Sequence, residues 1–419
     1  MTFNTTPELA QQLDKTDDLR GYRERFYIPR NADGADVVYL CGNSLGLQPK
    51  KTADYLQQEL EDWQSLGVRG HMQARRPWLP YHELVTPLTA AIVGAKPTEV
   101  VNMNSLTANL HLMMVSFYQP TKTRYKILIE KGAFPSDQYA VAAQLRFHGF
   151  DPAQGLLELA PRAGEHALRM EDIAQCLERE GDAIALVMLA GVQYYTGQAY
   201  DMAEITRLAQ QKGCRVGFDL AHAVGNLALS LHDWNMDFAV WCNYKYLNSG
   251  PGAVGGCFVH ERHARDTSLP RFTGWWGHDK ASRFDMKPDF DPTPGAQGWQ
   301  LSNPPIMALA PVLAASEITA QAGMPALRQK SEQLTGYLEF LLHERLAGKV
   351  GIITPENKDQ RGCQLSLVVP NGQTVFQALE EAGVVCDWRE PDVIRIAPAP
   401  LYNTFADVYS FVDILRDVL

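Results

Sequence analysis

An α/β fold is predicted by this 419-residue sequence, with a mainly parallel central sheet flanked by helices and a smaller α+β domain after it. Three observations predict it. Short apolar runs alternate with helical patterns between residues 125 and 219, as βαβ units do. The runs at 125–130, 183–190 and 214–219 are nearly continuous in apolar residues, which suits strands buried on both faces. Beyond residue 305 a long helical pattern takes over, and short strands follow it.

The elements can be justified in order. Residues 1–45 read as an N-terminal arm, polar and then extended, ending in Val37–Cys41 and the turn Gly42-Asn-Ser-Leu-Gly46. Residues 52–66 place Leu56, Leu60 and Trp63 at helical spacing, and Gly67 is the stop. Ser105 and Thr107 open a helix over 110–118 that Pro120 ends. A strand at 125–130, a helix at 136–148, a strand at 183–190, a helix at 202–212 and a strand at 215–219 follow. The apolar run 237–243 supplies a neighbouring strand. Residues 273–305 are loop-rich, and one helical pattern spans 306–346. Strands near 363–369 and 393–397 close the chain. This places a large domain at 46–319 and a small one at 320–419.

Composition bounds the function. Apolar residues make up 46% and charged residues 21%, an ordinary globular profile. A net charge of −10 without a sustained basic run excludes a nucleic-acid footprint. Seven cysteines without paired CxxC spacing point to reduced thiols and a cytoplasmic protein. The first residues carry neither a basic nor an apolar signal segment, and no apolar run is long enough to cross a bilayer.

The chemistry is carried by Asp219, at the end of the run Cys214-Arg-Val-Gly-Phe-Asp, and Lys245, 26 residues later in Asn243-Tyr-Lys-Tyr-Leu-Asn248. Both sit at strand ends in apolar surroundings, which is no place for a solvated charge. Pyridoxal phosphate needs this pair: a lysine for the Schiff base and a carboxylate that keeps the pyridine nitrogen protonated. Its phosphate needs an anion site, and the helix opening at Ser105 and Thr107 offers free backbone N–H groups and hydroxyls, unless the hydroxyls merely cap the helix. Phe134 in Ala133-Phe-Pro-Ser-Asp137 suits stacking on a flat ring, and Ser136 and Asp137 either bond the cofactor or cap the next helix. His222 orients the cofactor or is a core histidine. His71 lies in a loop before Arg75-Arg76-Pro77-Trp78, and Gly274-Trp-Trp-Gly-His278 pairs rigid aromatics with glycines as a substrate wall would. Arg395 is a charge inside the apolar strand Val393-Ile-Arg-Ile-Ala397. It either binds a substrate carboxylate in a bidentate fork or makes a buried ion pair. Gly250-Pro-Gly-Ala-Val-Gly255 precedes a strand and not a helix, so it is no dinucleotide loop. His260 and His263 lack convergent partners, and no metal is expected.

These residues closely resemble kynureninases, fold-type I pyridoxal-phosphate enzymes of the aspartate aminotransferase superfamily. The matching motifs are Gly42-Asn-Ser-Leu-Gly-Leu-Gln-Pro49, Ala133-Phe-Pro-Ser-Asp137, Gly191-Val-Gln-Tyr-Tyr-Thr-Gly197, Phe218-Asp-Leu-Ala-His-Ala-Val-Gly225, Asn243-Tyr-Lys-Tyr-Leu-Asn248, Gly274-Trp-Trp-Gly-His278 and Ser302-Asn-Pro-Pro305. The resemblance implies that Lys245 carries the cofactor and Asp219 pairs with its ring nitrogen. It also implies that Leu106, Thr107, Ser136, Tyr244, Trp275 and Asn303 line the cofactor pocket, some of them from the other subunit of a homodimer. Phe134 would stack on the ring, and Asp137 and His222 would complete its hydrogen bonds. Lys245 and Tyr244 are the candidates for proton transfer. Ser44, His71, Ser302, Asn303 and Arg395 would bind the substrate, with Arg395 on its α-carboxylate. The implied reaction is hydrolysis of the Cβ–Cγ bond of L-kynurenine or 3-hydroxykynurenine to (3-hydroxy)anthranilate and L-alanine, in tryptophan catabolism or NAD biosynthesis. The polar residues His71, Ser302 and Asn303 favour the hydroxylated substrate. Ala190 departs from the family, which often has a hydroxyl residue there. An aminotransferase, a cysteine desulfurase or a non-catalytic pyridoxal-phosphate-binding protein are the alternatives. A desulfurase would need a mobile cysteine, whereas Cys363 reads as the start of a strand.

Overall fold

Seven strands form the central sheet of the computed structural model, which describes residues 3–419. Their order is Val100–Asn102, Gly256–Val259, Phe238–Trp241, Arg215–Asp219, Ile184–Ala190, Lys126–Glu130 and Leu156–Leu159. The last five are mutually parallel, and Gly256–Val259 runs antiparallel to both of its neighbours. Alternate residues of one strand feed opposite cores, because strand side chains point to opposite faces. Ile127 and Ile129 pack with Leu110, Met113 and Val141 of the helices Leu106–Phe117 and Pro135–Phe147. Leu128, Val187 and Phe218 pack on the other face with Ile173, Leu177 and Ile205 of Met170–Glu180 and Met202–Gln211. Covered on both sides, the strands have no room for a polar face, which explains their continuous apolar runs.

A separate core gathers Leu334, Leu338, Leu367, Ile394, Ile396 and Phe411 around the antiparallel sheet Asp387–Arg389, Val393–Ile396, Leu365–Val368 and Gly351–Ile352. Three features depart from the sequence reading. Residues 7–16, taken as part of a polar arm, form the helix Pro7–Thr16, whose Ala10 and Leu13 enter this second core. Its apolar positions are too few to stand out, and the partner lies at the far end of the chain. The single helix expected over 306–346 is two helices, Ile306–Ala322 and Met324–Leu346, bent by 78° at Gly323. Gly323 has φ +79°, a conformation only glycine takes readily, and Pro325 starts the second helix where its missing N–H costs nothing. Finally, the helix Lys51–Leu66 buries Glu59 and Asp62 and exposes Leu60 and Trp63. Glu59 accepts from Trp78 Nε1 and Tyr81 Oη, both at 3.0 Å, and Asp62 pairs with Arg75 at 2.9 Å, so the buried carboxylates are satisfied. Among the described residues no single helix is long and apolar enough to cross a membrane.

Candidate active site

The carboxyl ends of the parallel strands open into a cavity of about 230 Å³, where ligands of α/β sheets collect. Glu130, Ala190 and Asp219 end three adjacent strands at its floor. Leu106 and Thr107 come from a helix start, and Phe134, Ser136 and Asp137 from another. His222, Tyr244 and Lys245 arrive on the loops that follow Arg215–Asp219 and Phe238–Trp241. The antiparallel sheet of the C-terminal part closes the cavity with Arg389 and Arg395, and the early turn adds Asn43 and Ser44. Gly46 ties that turn to the lysine loop: its N–H donates to Tyr244 O at 2.8 Å, and a Cβ there would collide with Lys245 O and Asn248.

Lys245 Nζ lies 2.9 Å from His222 Nε2. Burial, reinforced by Arg395 and Arg389, pushes the lysine pKa down, which raises the share of neutral amine able to attack a carbonyl. Burial likewise drives His222 well below the usual imidazole range, so it is neutral, and its buried Nδ1 has no partner among the described residues. Asp219 accepts from Ala221 N at 2.7 Å. Burial raises its pKa despite Lys245, and it raises Asp137, which also faces Asp219, well above the carboxylate range. Glu130 is a third buried acid, pushed up to about 8 by burial, with Ala190 N donating to it at 3.4 Å. Of the three buried acids, Asp219 is the one that faces Lys245, and a protonated pyridine nitrogen is a partner that its carboxylate fits.

The helix start at Leu106 fits the phosphate. Its cap, Ser105, makes no side-chain bond to the helix, so the first backbone N–H groups are left for a ligand. Thr107 Oγ1 and Ser136 Oγ meet at 2.8 Å beside them. Neither Ser136 nor Asp137 caps its own helix, and Asp137 Oδ1 is buried without a partner among the described residues. A Cβ on Gly255 would sit 3.2 Å from Leu106 N, so a side chain there would crowd the helix start.

Not every expected residue converges here. His71, Trp275, Ser302 and Asn303 do not line the cavity of this chain. His71 Nδ1 is 3.0 Å from Val68 O, Trp275 donates to Arg283 O, and Ser302 and Asn303 are exposed. Conversely, Glu130, Asp387 and Arg389 escaped the sequence reading. Each is a charge on a strand end or edge, the commonest place for an idle one, and only the Asp-x-Arg spacing puts Asp387 and Arg389 on one strand face. Glu99, His232 and His260 also converge, but hydrogen bonds occupy them: Glu99 accepts from Lys96 N, Glu261 N and His232 Nδ1, and His260 Nδ1 accepts from Arg262 N.

Together the fold and the lysine–aspartate pair define a pyridoxal-phosphate enzyme of fold type I. The architecture matches a cysteine desulfurase from Thermococcus onnurineus (TM-score 0.74, 17% identity, 100% of this chain and 99% of that one). It also matches C-DES with glycine covalently linked to its PLP cofactor (TM-score 0.78, 19% identity, 94% and 99%). At such identities the likeness establishes the fold alone. The sequence is more specific: it is 62% identical over 415 residues to the kynureninase of Myxococcus xanthus, covering 99% of this chain and 97% of that protein. The kynureninase of Koribacter versatilis is 58% identical over 98% of this chain and 97% of its own length, and residues 327–415 match the kynureninase C-terminal domain. The chain belongs to the kynureninase family.

Proposed function

We propose that this enzyme hydrolyses the Cβ–Cγ bond of L-kynurenine and of 3-hydroxy-L-kynurenine, giving anthranilate or 3-hydroxyanthranilate and L-alanine. The observation that carries the reading is one cavity that holds Lys245, Asp219 and an arginine cluster for an amino-acid carboxylate. Bound pyridoxal phosphate supplies an electron sink for the carbanions on either side of the bond cleaved. Lys245 would hold the cofactor, and its amine, once released by the substrate, is placed to move the Cα proton. Neutral His222, at 2.9 Å, orients that amine without competing for its charge. Asp219, fixed by Ala221 N–H, would keep the ring nitrogen protonated, and Asp137 supports it as a proton-bearing neighbour. Leu106, Thr107 and Ser136 would bind the phosphate, Phe134 would cover the ring, and Tyr244 would assist proton transfer at the substrate. Ser44 and Arg395 would hold the α-carboxylate.

The remaining expected residues support a homodimer with shared active sites. His71, Trp275, Ser302 and Asn303 lie outside this chain's cavity, and a second copy can supply them. Trp63, 61% exposed, and Val68, 81% exposed, together with Leu60 and Met72 are exposed apolar side chains within a dozen residues of His71 along the chain, and such side chains are the kind that partners cover. Seven free, buried cysteines support a reducing, cytoplasmic setting. Incubating cofactor-saturated protein with L-kynurenine while following anthranilate fluorescence tests the activity, and absence of anthranilate refutes it.

A further inference from the structure

Three buried acids line the cavity, and the functional reading gives work to only two of them. Asp219 meets the ring nitrogen, and Asp137 shares a hydrogen bond with Asp219. Glu130 is left over, although it ends the strand Lys126–Glu130, lines the cavity and is only 2% exposed. No basic side chain acts on it. Burial and the charge of Asp219 push its carboxyl up to about 8, and only backbone N–H groups, that of Ala190 among them, oppose this. An acid buried without a cation keeps its proton, and that proton makes it a hydrogen-bond donor.

The strand order shows where this donor stands. Ala190 pairs in register with Asp219 on the next strand, and Glu130 reaches over from the strand on the other side to accept from Ala190 N at 3.4 Å. Glu130 and Asp219 therefore flank Ala190, which offers only a methyl group between them. The helix start at Leu106 lies the other way. It packs against Gly255, whose strand Gly256–Val259 sits beyond Phe238–Trp241, on the side of Asp219 away from Ala190 and Glu130. Pyridoxal phosphate carries its phosphate arm and its ring oxygen on opposite flanks of the axis through the ring nitrogen. With the nitrogen at Asp219 and the phosphate at Leu106, the ring oxygen turns toward Ala190 and Glu130. That oxygen is negatively charged when the cofactor is joined to its lysine, so it accepts hydrogen bonds strongly.

We propose that Glu130 is a further cofactor-binding residue, whose carboxylic acid donates a hydrogen bond to the ring oxygen of pyridoxal phosphate. The proposal deepens the functional reading above and rests on its placement of the ring nitrogen at Asp219 and of the phosphate at Leu106. It has a consequence for the lysine linkage. The charge of the ring oxygen helps to hold the proton on that linkage, and a donor that disperses the charge lets the proton leave at lower pH.

The test compares wild type, Glu130→Gln and Glu130→Leu, each bound to pyridoxal phosphate or to 3-deoxypyridoxal 5'-phosphate, which lacks only the ring oxygen. Two quantities are read: the dissociation constant of each cofactor, and the pH at which the visible absorbance of bound pyridoxal phosphate changes. The thermal midpoint of cofactor-free protein establishes that each variant is folded, and Glu130→Met carries the same expectation should the leucine variant not fold. Loss of one charge-assisted donor should weaken pyridoxal phosphate on the order of 10- to 100-fold in Glu130→Leu and leave the deoxy analogue within about twofold of wild type. The visible transition should rise by roughly one to two pH units. Glu130→Gln, whose amide also donates, should stay near wild type in both. Equal weakening of both cofactors in Glu130→Leu, or an unmoved transition, would overturn the proposal and leave Glu130 as a support for Ala190. A glutamine variant as impaired as the leucine variant would overturn it as well, because a hydrogen-bond donor is retained in one and lost in the other. Asp219→Asn separates this failure from that of the underlying reading: if it too leaves affinity and transition unmoved, the ring does not lie on this floor.

Discussion

Glu130 gives the sharpest quantitative expectation, because its carboxyl is buried among two other acids and moved far from its ordinary value. Burial is the main cause and the charge of Asp219 adds to it, while the N–H of Ala190 opposes both, leaving a pKa of about 8 against an ordinary 4.5. The sign follows from where the proton sits. Below pH 4.5 both folded and unfolded chains hold it, and stability does not change. Between 4.5 and about 8 the unfolded chain has released the proton and the folded chain keeps it, so stability falls as pH rises. Above about 8 both have released it and the dependence ends. At about 1.36 kcal/mol per pH unit, the full span amounts to roughly 5 kcal/mol, an upper figure because any water reaching the site reduces it. Glu130→Gln keeps the shape and carries no titrating proton. Urea unfolding of cofactor-free protein at fixed protein concentration, from pH 5 to pH 8.5, should therefore show the variant gaining on wild type by several kcal/mol across that range. Parallel stability curves would refute the reasoning, since they would mean that Glu130 is ionised in the folded protein.

Three further outcomes test the site. Lys245→Ala should lose turnover while still binding pyridoxal phosphate through the helix start at Leu106, and borohydride reduction of wild type should attach the pyridoxyl group to Lys245 in a peptide map. Asp219→Asn should slow turnover by orders of magnitude and Asp219→Glu by less, because only a carboxylate keeps the ring nitrogen protonated; near-normal rates in the Asn variant would shift that role to Asp137. His71→Trp should lower kcat/KM for 3-hydroxykynurenine more than for kynurenine, because a site built to bond a hydroxyl loses most when that bond is removed. A wild type that strongly prefers kynurenine would refute the polar-pocket argument.

How much of this was legible in the sequence depends on whether a residue's partner lies nearby along the chain. Asp219 and Lys245 could be read because a parallel sheet buries its strands on both faces, so the apolar runs mark the strands and the first polar residue after each run marks the floor of the site. The same rule applies to Glu130, which ends the run Lys126–Glu130, yet an acid there looks idle until the fold sets it beside Asp137 and Asp219. Helical periodicity located residues 52–66 of the helix Lys51–Leu66 but did not say which face is buried. The buried face is the charged one, because Trp78, Tyr81 and the Arg75–Arg76 turn come back to bond Glu59 and Asp62.

Arg395 in an apolar strand permits two readings, a substrate fork or a buried ion pair, and residue types alone do not decide between them. The register of the small sheet makes them compatible, because it sets Asp387 opposite Arg395 and leaves Arg389 facing the same cavity. An ion pair that neutralises an arginine also holds its guanidinium in a fixed place, so a structural partner and a ligand-facing edge can belong to the same side chain. The same limit holds for His71, Trp275, Ser302 and Asn303: sequence motifs single them out while the cavity of one chain does not contain them, and the homodimer proposed above is the arrangement that would reconcile motif and geometry.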